Sequence, residues 1–291
     1  MTNQIDNQDD AQAEIAATGA ATQGVLGLAA DPSIEMDHLT DLGNGARLAK
    51  HVQEKLRWSG GGGWLHYVDG VWVEDAHAPR RYAVETLQKY RSLDPAFYTK
   101  WTKKSESLAR INAAVELAKQ YLALDKGRFD RDPWALNVDN GTIDLHTGTL
   151  GSHRPEDLIT RKAAVDYDYE ATAPTFMQFL DVVFGGDQEL IGYVQRAVGY
   201  SLLGGTDEQV IFIGYGSGSN GKTVLLEILH DLLGSYAEKL PVESLMKKPS
   251  GGIPNDLARL PGVRLVTAVE SDVDRALAEG LVKSITGSDT I

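Results

Sequence analysis

Cysteine is absent from all 291 residues, which removes disulfides, thiolate zinc sites and a cysteine nucleophile from consideration. Long apolar runs are missing too. Nothing approaches the roughly twenty consecutive apolar residues of a membrane span, and the N-terminus lacks the basic and apolar regions of a secretory signal. The expected compartment is the cytoplasm, with no membrane partner. None of the seven histidines falls in a metal-ligand spacing such as H-x-x-x-H, so any metal is expected to be a hard ion on oxygen ligands.

Positive charge is scarce. The formal net charge is -13, and eight acids (Asp6, Asp9, Asp10, Glu14, Asp31, Glu35, Asp37 and Asp41) precede the first basic residue, Arg47. A generally basic nucleic-acid-binding surface is excluded, but the chain from Arg47 onward carries only -5, which leaves room for a local basic patch.

What is present is enough for a core. Hydrophobic residues make up 42% of the chain, and the length suits one large domain or two of ordinary size. Residues 1–36 are rich in Ala, Gln, Asn, Asp and Thr, and their composition predicts a disordered acidic tail. Beyond it, Leu48, Val52 and Leu56 recur at helical spacing. After the glycine run "SGGGG", the alternation in "WLHYVDGVWVED" around Asp69-Gly70 predicts a hairpin, and helical patterns continue to about residue 123. "WALNVDNGTIDLHTGTL" predicts a second strand pair, with tight turns at Asn140-Gly141 and Thr147-Gly148. Two helices follow, the first opened by Pro174 and closed at Gly185-Gly186. The composition shifts near Gly204-Gly205, which divides residues 37–204 from a final module, 205–291.

That module opens with an apolar run, "QVIFIGYG", expected to be a strand, and an amphipathic run, "TVLLEILHDLLG", that places Val224, Leu225, Ile228, Leu229 and Leu232 on one helical face before Gly234. Between them stand Gly216, Ser217, Gly218, Ser219, Asn220, Gly221, Lys222 and Thr223, a full match to G-x-x-x-x-G-K-[ST]. Glycines let such a loop curl so that several N–H groups converge on phosphate oxygens, and the helix that follows adds the positive end of its dipole. ATP is the expected ligand. Lys222 would reach its β and γ phosphates, and Thr223 would place a hydroxyl on Mg²⁺.

A phosphate loop alone does not name a reaction. The second motif is "PGVRLVTAVESD", an apolar strand expected over Val263 to Val269 that ends in Glu270. An acid at a strand's carboxyl end beside the loop can polarise an attacking water, so Glu270 is the candidate catalytic base, with a possible part in holding Mg²⁺. A charged residue capping a buried strand is the plain alternative. Val269 stands where many P-loop ATPases carry a magnesium-associated aspartate, and Asp272 is a candidate substitute.

Taken in order, "WTKKSES", "LNVDNGTIDLHTGTL", "YVQRAVGYSLLGG", "GSGSNGKT", "RLVTAVES" and "LVKSITGSDTI" resemble a superfamily 3 helicase, the helicase part of phage and plasmid primases related to poxvirus primase-helicases. The resemblance runs from about Leu39 to Ile291. It implies an α/β P-loop ATPase core of the AAA+-like kind, preceded by a mostly helical α+β helicase-associated region. It further implies ATP hydrolysis with Mg²⁺, DNA as partner, a homo-hexameric ring, and a phage- or plasmid-encoded protein in a bacterial cytoplasm. Lys222 and Thr223 fall on the nucleotide loop and Glu270 on the second acidic motif. Lys283, Gly287 and Asp289 fall on a third motif leading toward a DNA-contacting loop, with Ser288 where the family often has another glycine. In the family the core continues past "TGSDTI" with a sensor residue, more strands and an arginine finger. The resemblance therefore implies an incomplete core whose central strand is missing, and a chain that is not a working helicase alone.

Two weaker constellations remain. Asp166-Tyr167-Asp168 is a D-x-D arrangement that on a strand could hold Mg²⁺, with an exposed strand edge as the alternative. In "FYTKWTKKSESLARI", Lys100, Lys103 and Lys104 interleave with Tyr98 and Trp101, the pairing of charge and stacking that holds single strands, with a solvated helix as the alternative. Lys103, Lys104 and Lys283 are the candidate DNA contacts. Two other functions stay open: a P-loop phosphotransferase, and a non-catalytic nucleotide-binding or oligomer-forming fragment.

The acidic N-terminal segment generates a first prediction. Six of the eight acids lie in residues 1–36 without a lysine or arginine among them and repel phosphate over about a Debye length of 10 Å at 0.1 M salt, so deleting residues 1–36 is expected to tighten single-stranded DNA binding modestly at low salt. Fluorescence anisotropy checks it, and weaker binding after deletion would assign the segment a positive role.

Overall fold

The computed structural model describes residues 39–93, 95–246, 255–269 and 277–287. They form a mixed α/β structure of small sheets and helices in two compact units. The first comprises the residues through Val68 together with Trp72–Phe129, and the second Asp69–Val71 with the chain from Asp130. The compositional shift at Gly204-Gly205 lies inside the second unit. Among the described residues no helix is long and apolar enough to cross a membrane.

In the first unit, helix α1 (Asp41–Val52) starts where the Thr40 hydroxyl accepts from the Gly43 N–H at 3.2 Å. Asp41 in its first turn and Lys50 and His51 in its last complement the helix dipole. Leu56 was expected to extend this helix. Instead the helix stops at Val52, and Leu56 enters β1 (Leu56–Trp58), whose backbone pairs antiparallel with β2 (Trp64–Val68) across the glycine run. Strand β3 (Val71–Glu74) completes the sheet in the order β1-β2-β3. Its hairpin turns at Asp69 and Gly70, both with positive φ (48° and 81°), the geometry anticipated from Asp-Gly.

Three helices follow: α2 (Ala78–Leu93), α3 (Pro95–Ser105) and α4 (Leu108–Leu122). Asp75 starts α2 by accepting from the His77 and Ala78 N–H groups at 2.8 and 3.0 Å. Helix α4 lies against α1 so closely that a Cβ on Gly45 would sit 2.7 Å from the Leu117 Cβ. Leu48, Val52, Leu56, Trp64 and Leu122 form the core between these elements. Arg47 is buried with them, its guanidinium 4.5 Å from the Trp101 ring centroid and 5.4 Å from that of Tyr90.

The second unit opens with an antiparallel meander of β4 (Ala135–Val138), β5 (Gly141–Asp144) and β6 (Thr149–Gly151). Val138 pairs with Gly141, so the first turn centres on Asp139-Asn140, one residue before the expected Asn140-Gly141. The shift frees the Asn140 side chain to accept from the Tyr167 N–H at 2.9 Å and donate to its carbonyl at 3.0 Å. Along this outer side of β4, Ala163 N–H also reaches Asn137 O, and Asp139 N–H reaches Val165 O, each at 2.9 Å.

Helix α5 (Pro174–Val183) ends at the Gly185-Gly186 pair, and α6 (Gln188–Tyr200) begins with Asp187 accepting from the Leu190 N–H. Helix α7 (Lys222–Leu233) leads into β7 (Ala237–Lys239), which pairs parallel with β8 (Leu265–Thr267), and α8 (Glu279–Thr286) follows. Leu136, Val138, Ile143, Ile159, Leu233 and Tyr236 share one core, so the meander and the end of α7 are packed as a single body.

The α1–α4 contact yields the second prediction. Gly45→Val drives a branched side chain into the Leu117 Cβ, which cannot retreat without moving α4, and overpacking of this kind costs about 1–3 kcal/mol. Urea unfolding is expected to show a lower midpoint with an unchanged slope.

Candidate nucleotide-binding loop

The chain arrives at the loop through Val210–Ile213, expected to be a strand. It is not one in the structure. No strand is assigned there, and the four side chains are 46, 48, 47 and 70% exposed. An apolar run becomes a strand only when a neighbouring strand takes its N–H and C=O groups, and the described sheets offer this segment no partner. Tyr215, just before the loop, is 91% exposed.

From Gly216 the backbone takes conformations that favour glycine: φ is 149° at Gly216, 59° at Ser219 and 82° at Gly221. Gly221 is needed for space as well. A Cβ there would lie 2.6 Å from Val183 Cγ2 and 3.4 Å from a Phe179 ring carbon, so the loop rests on α5. Gly221 is also the residue before α7, with no side-chain cap and no acid in the helix's first turn. The first N–H groups of α7 are therefore left for an anion.

Lys222 closes the loop over itself. Its ammonium donates to Gly216 O at 3.2 Å and to Asn220 Oδ1 at 2.8 Å. Thr223, next on the helix, is exposed. Within the run Gly216 to Thr223, Lys222 is thus bonded back to Gly216 and Asn220 across an exposed loop. Leu229 and Leu233 anchor α7 in the core, whereas Val224, Ile228 and Leu232, expected on the buried face, are 46, 37 and 43% exposed.

Glu270, Asp272, Ser288 and Asp289 lie outside the described residues. The strand leading to Glu270 is present as β8, shorter than expected. A contact that sequence reasoning missed ties it to the loop's helix: His230 Nε2 on α7 and Thr267 Oγ1 at the end of β8 are 2.7 Å apart. Thr267 O also accepts from the Leu240 N–H at 2.9 Å. Burial, with the charge of Lys239, holds the His230 pKa below the usual histidine value against the opposing pull of Glu238 and Asp231. The only available signal was one imidazole amid the leucines of "LLEILHDLL".

The other candidates separate. Lys283 is exposed on α8 in the second unit, whereas Lys103 and Lys104 are exposed at the end of α3 in the first. Trp101 is 6% exposed under Arg47, so it presents no face to a base, and the part of that reading that rests on Trp101 fails. The Tyr98 side chain lies outside the described residues. Asp166 and Asp168 are not on a strand; Asp168 caps a turn by accepting from the Glu170 N–H. Among the described residues no group of three or more His, Asp or Glu side chains is arranged for a metal.

Known proteins share parts of this chain. Residues 45–185 match the family model described as D5 N terminal like. The chain is 28% identical over 195 residues to "Putative helicase 184R" of Invertebrate iridescent virus 6, covering 64% of this chain and 20% of that protein. It is 25% identical over 228 residues to "Putative helicase 022R" of Frog virus 3, covering 55% of this chain and 23% of that protein. A third similarity, 24% over 261 residues, is to "Putative helicase L207/L206" of Acanthamoeba polyphaga mimivirus, with 78% and 27% covered. The chain thus spans only 20 to 27% of the length of these curated relatives.

The His230–Thr267 contact makes a pH prediction. Because the folded pKa of His230 is depressed, the unfolded chain takes up a proton that the folded one refuses as pH falls below about 6.5. Stability present above that pH is therefore lost on acidification. Urea unfolding of the wild type at pH 7.5 and 5.5 is expected to show a larger loss than His230→Gln shows over the same interval.

Proposed function

We propose that this chain is part of a superfamily 3 DNA helicase, the helicase portion of a primase-helicase that replicates a phage, plasmid or viral genome. The observation that carries the reading is the complete G-x-x-x-x-G-K-T turn set on the uncapped start of α7, with Lys222 folded across it. The D5 N terminal like match over residues 45–185 and the names of the viral relatives support a role in replication.

The residues fit a nucleoside triphosphate. Positive φ at Gly216 and Gly221 leaves backbone N–H groups without side chains over them, and the first turn of α7 holds no acid to repel phosphate. ATP would displace the Lys222 ammonium from Gly216 O and Asn220 and take its charge on the β and γ phosphates. Mg²⁺ would supply neutralisation of charge between those phosphates, with Thr223 and Glu270 to hold it. Glu270, three residues past the end of β8, would align and deprotonate the attacking water. His230, through Thr267, would hold β8 in register with α7, so that the acid and the lysine keep a set separation. DNA contacts at Lys283, and assembly as a hexamer, belong to the same reading.

Lys222→Ala is expected to abolish ATP binding measured with a fluorescent analogue. In the full-length protein, Glu270→Gln is expected to bind ATP normally and lose DNA-stimulated turnover. Normal hydrolysis by Glu270→Gln would overturn the assignment.

A further inference from the structure

The net charge of -13 conceals a sharp division. Within the first unit, residues 39–68 and 72–129 hold fifteen lysines and arginines against nine aspartates and glutamates, a net of +6, and the seven acids of residues 1–38 stand apart from them at the start of the chain. From Asp130 onward the balance is thirteen against twenty-four, a net of -11. A polyanion is thus attracted to residues 39–68 and 72–129 and repelled, on average, by the chain from Asp130.

Within the first unit one surface concentrates the effect. Helix α3 contains no acid, and its lysines Lys100, Lys103 and Lys104 stand at i, i+3 and i+4, on one face. All three are exposed, while Trp101, Thr102 and Ser105 on the opposite face are buried at 6, 0 and 0%. Glu106, the acid just past the helix, is engaged by Arg91 at 3.3 Å, and among the described residues none of the three lysines is in an ion pair. The cations therefore stand together on one helix face with no acidic partner among the described residues.

We propose that the Lys100–Lys103–Lys104 face of α3 is a docking surface for the phosphate backbone of duplex DNA. Single strands are held by charge combined with exposed aromatics, and here the aromatic within the lysine triplet is buried beneath Arg47. Among the described side chains of this face what remains is charge, and charge favours the denser polyanion: a duplex carries one phosphate per about 1.7 Å of axis, roughly twice the density along a single strand. The rise from Lys100 to Lys104, about 6 Å at 1.5 Å per residue, is comparable to the spacing of consecutive phosphates. The identification of the polyanion as DNA rests on the proposed function; the surface itself does not.

The test is anisotropy titration of the full chain with a labelled 20-base-pair duplex and a 20-nucleotide single strand, from 50 to 200 mM potassium chloride. The wild type is expected to bind the duplex more tightly. The combined Lys100→Gln, Lys103→Gln and Lys104→Gln variant is expected to lose at least tenfold in duplex affinity at 100 mM salt. Its slope of log K against log salt is expected to fall by about 2.7, the release expected for three duplex contacts. The matching triple arginine variant is expected to bind as the wild type does, which separates lost charge from lost fold. Unchanged duplex affinity in the glutamine variant, tighter binding of the single strand, or loss on Lys283→Gln instead would each overturn the proposal. ATP binding by the wild-type chain is read separately with the fluorescent analogue, so failure of the loop reading and failure of this one are distinguishable.

Discussion

One buried hydrogen bond organises the second unit. Asn137 on β4 is fully buried, and its backbone N–H points away from β5 to the hydroxyl of Tyr236 at 3.1 Å. Leaving that donor without a partner would cost about 1–3 kcal/mol. Tyr236 is itself 1% exposed, and burial pushes its pKa up, so it remains a neutral phenol. Arg264 lies over its ring at 4.6 Å and donates to the carbonyls of Ala135, at 2.5 Å, and of Leu202. A tyrosine just past α7 and an arginine just before β8 thus both terminate on the first strand of the meander. The meander is therefore the support on which α7 and β8 are built.

Two close approaches then fix the helix that carries Lys222. At its start, Gly221 lies on Val183 and Phe179 of α5; past its end, Gly234 passes so near the chain that a Cβ would be 2.8 Å from Lys162 O. Between them Leu229 and Leu233 are buried. The placement of the Gly216–Thr223 loop along the helix axis follows from these contacts and not from the loop residues themselves. The glycine-rich loop supplies donors, and the packing at both ends of α7 decides where they point.

Much of this was legible wherever the determinants are local. Asp69-Gly70, the Pro174 start of α5 and the Gly185-Gly186 stop each rest on neighbours in sequence, and each appears where expected. The Asn140 turn was displaced by one residue because the Asn140 side chain is used by Tyr167, twenty-seven positions on. Val210–Ile213 has the composition of a strand, yet composition cannot tell whether a partner stands beside it. Trp101 looked like a stacking platform because its burial is decided by Arg47, on another helix. Tyr236, Arg264 and the His230–Thr267 pair were invisible, since nothing in their own neighbourhoods marks the carbonyl, hydroxyl or N–H they reach.

The length of those connections bears on how the chain is made. The first unit's contacts close by Phe129, whereas the bond from Tyr236 to Asn137 spans 99 positions and that from Arg264 to Ala135 spans 129. Non-local pairings of this reach slow folding, and at 5–20 residues per second a ribosome needs on the order of ten seconds to travel from Ala135 to Arg264. Throughout that interval every residue of the first unit has been made, while the Asn137 N–H on β4 is bonded to water and not to Tyr236. Synthesis therefore imposes an order: the first unit can mature before the meander, which stays open to chaperones, or to wrong partners, until Tyr236 and Arg264 emerge to close it.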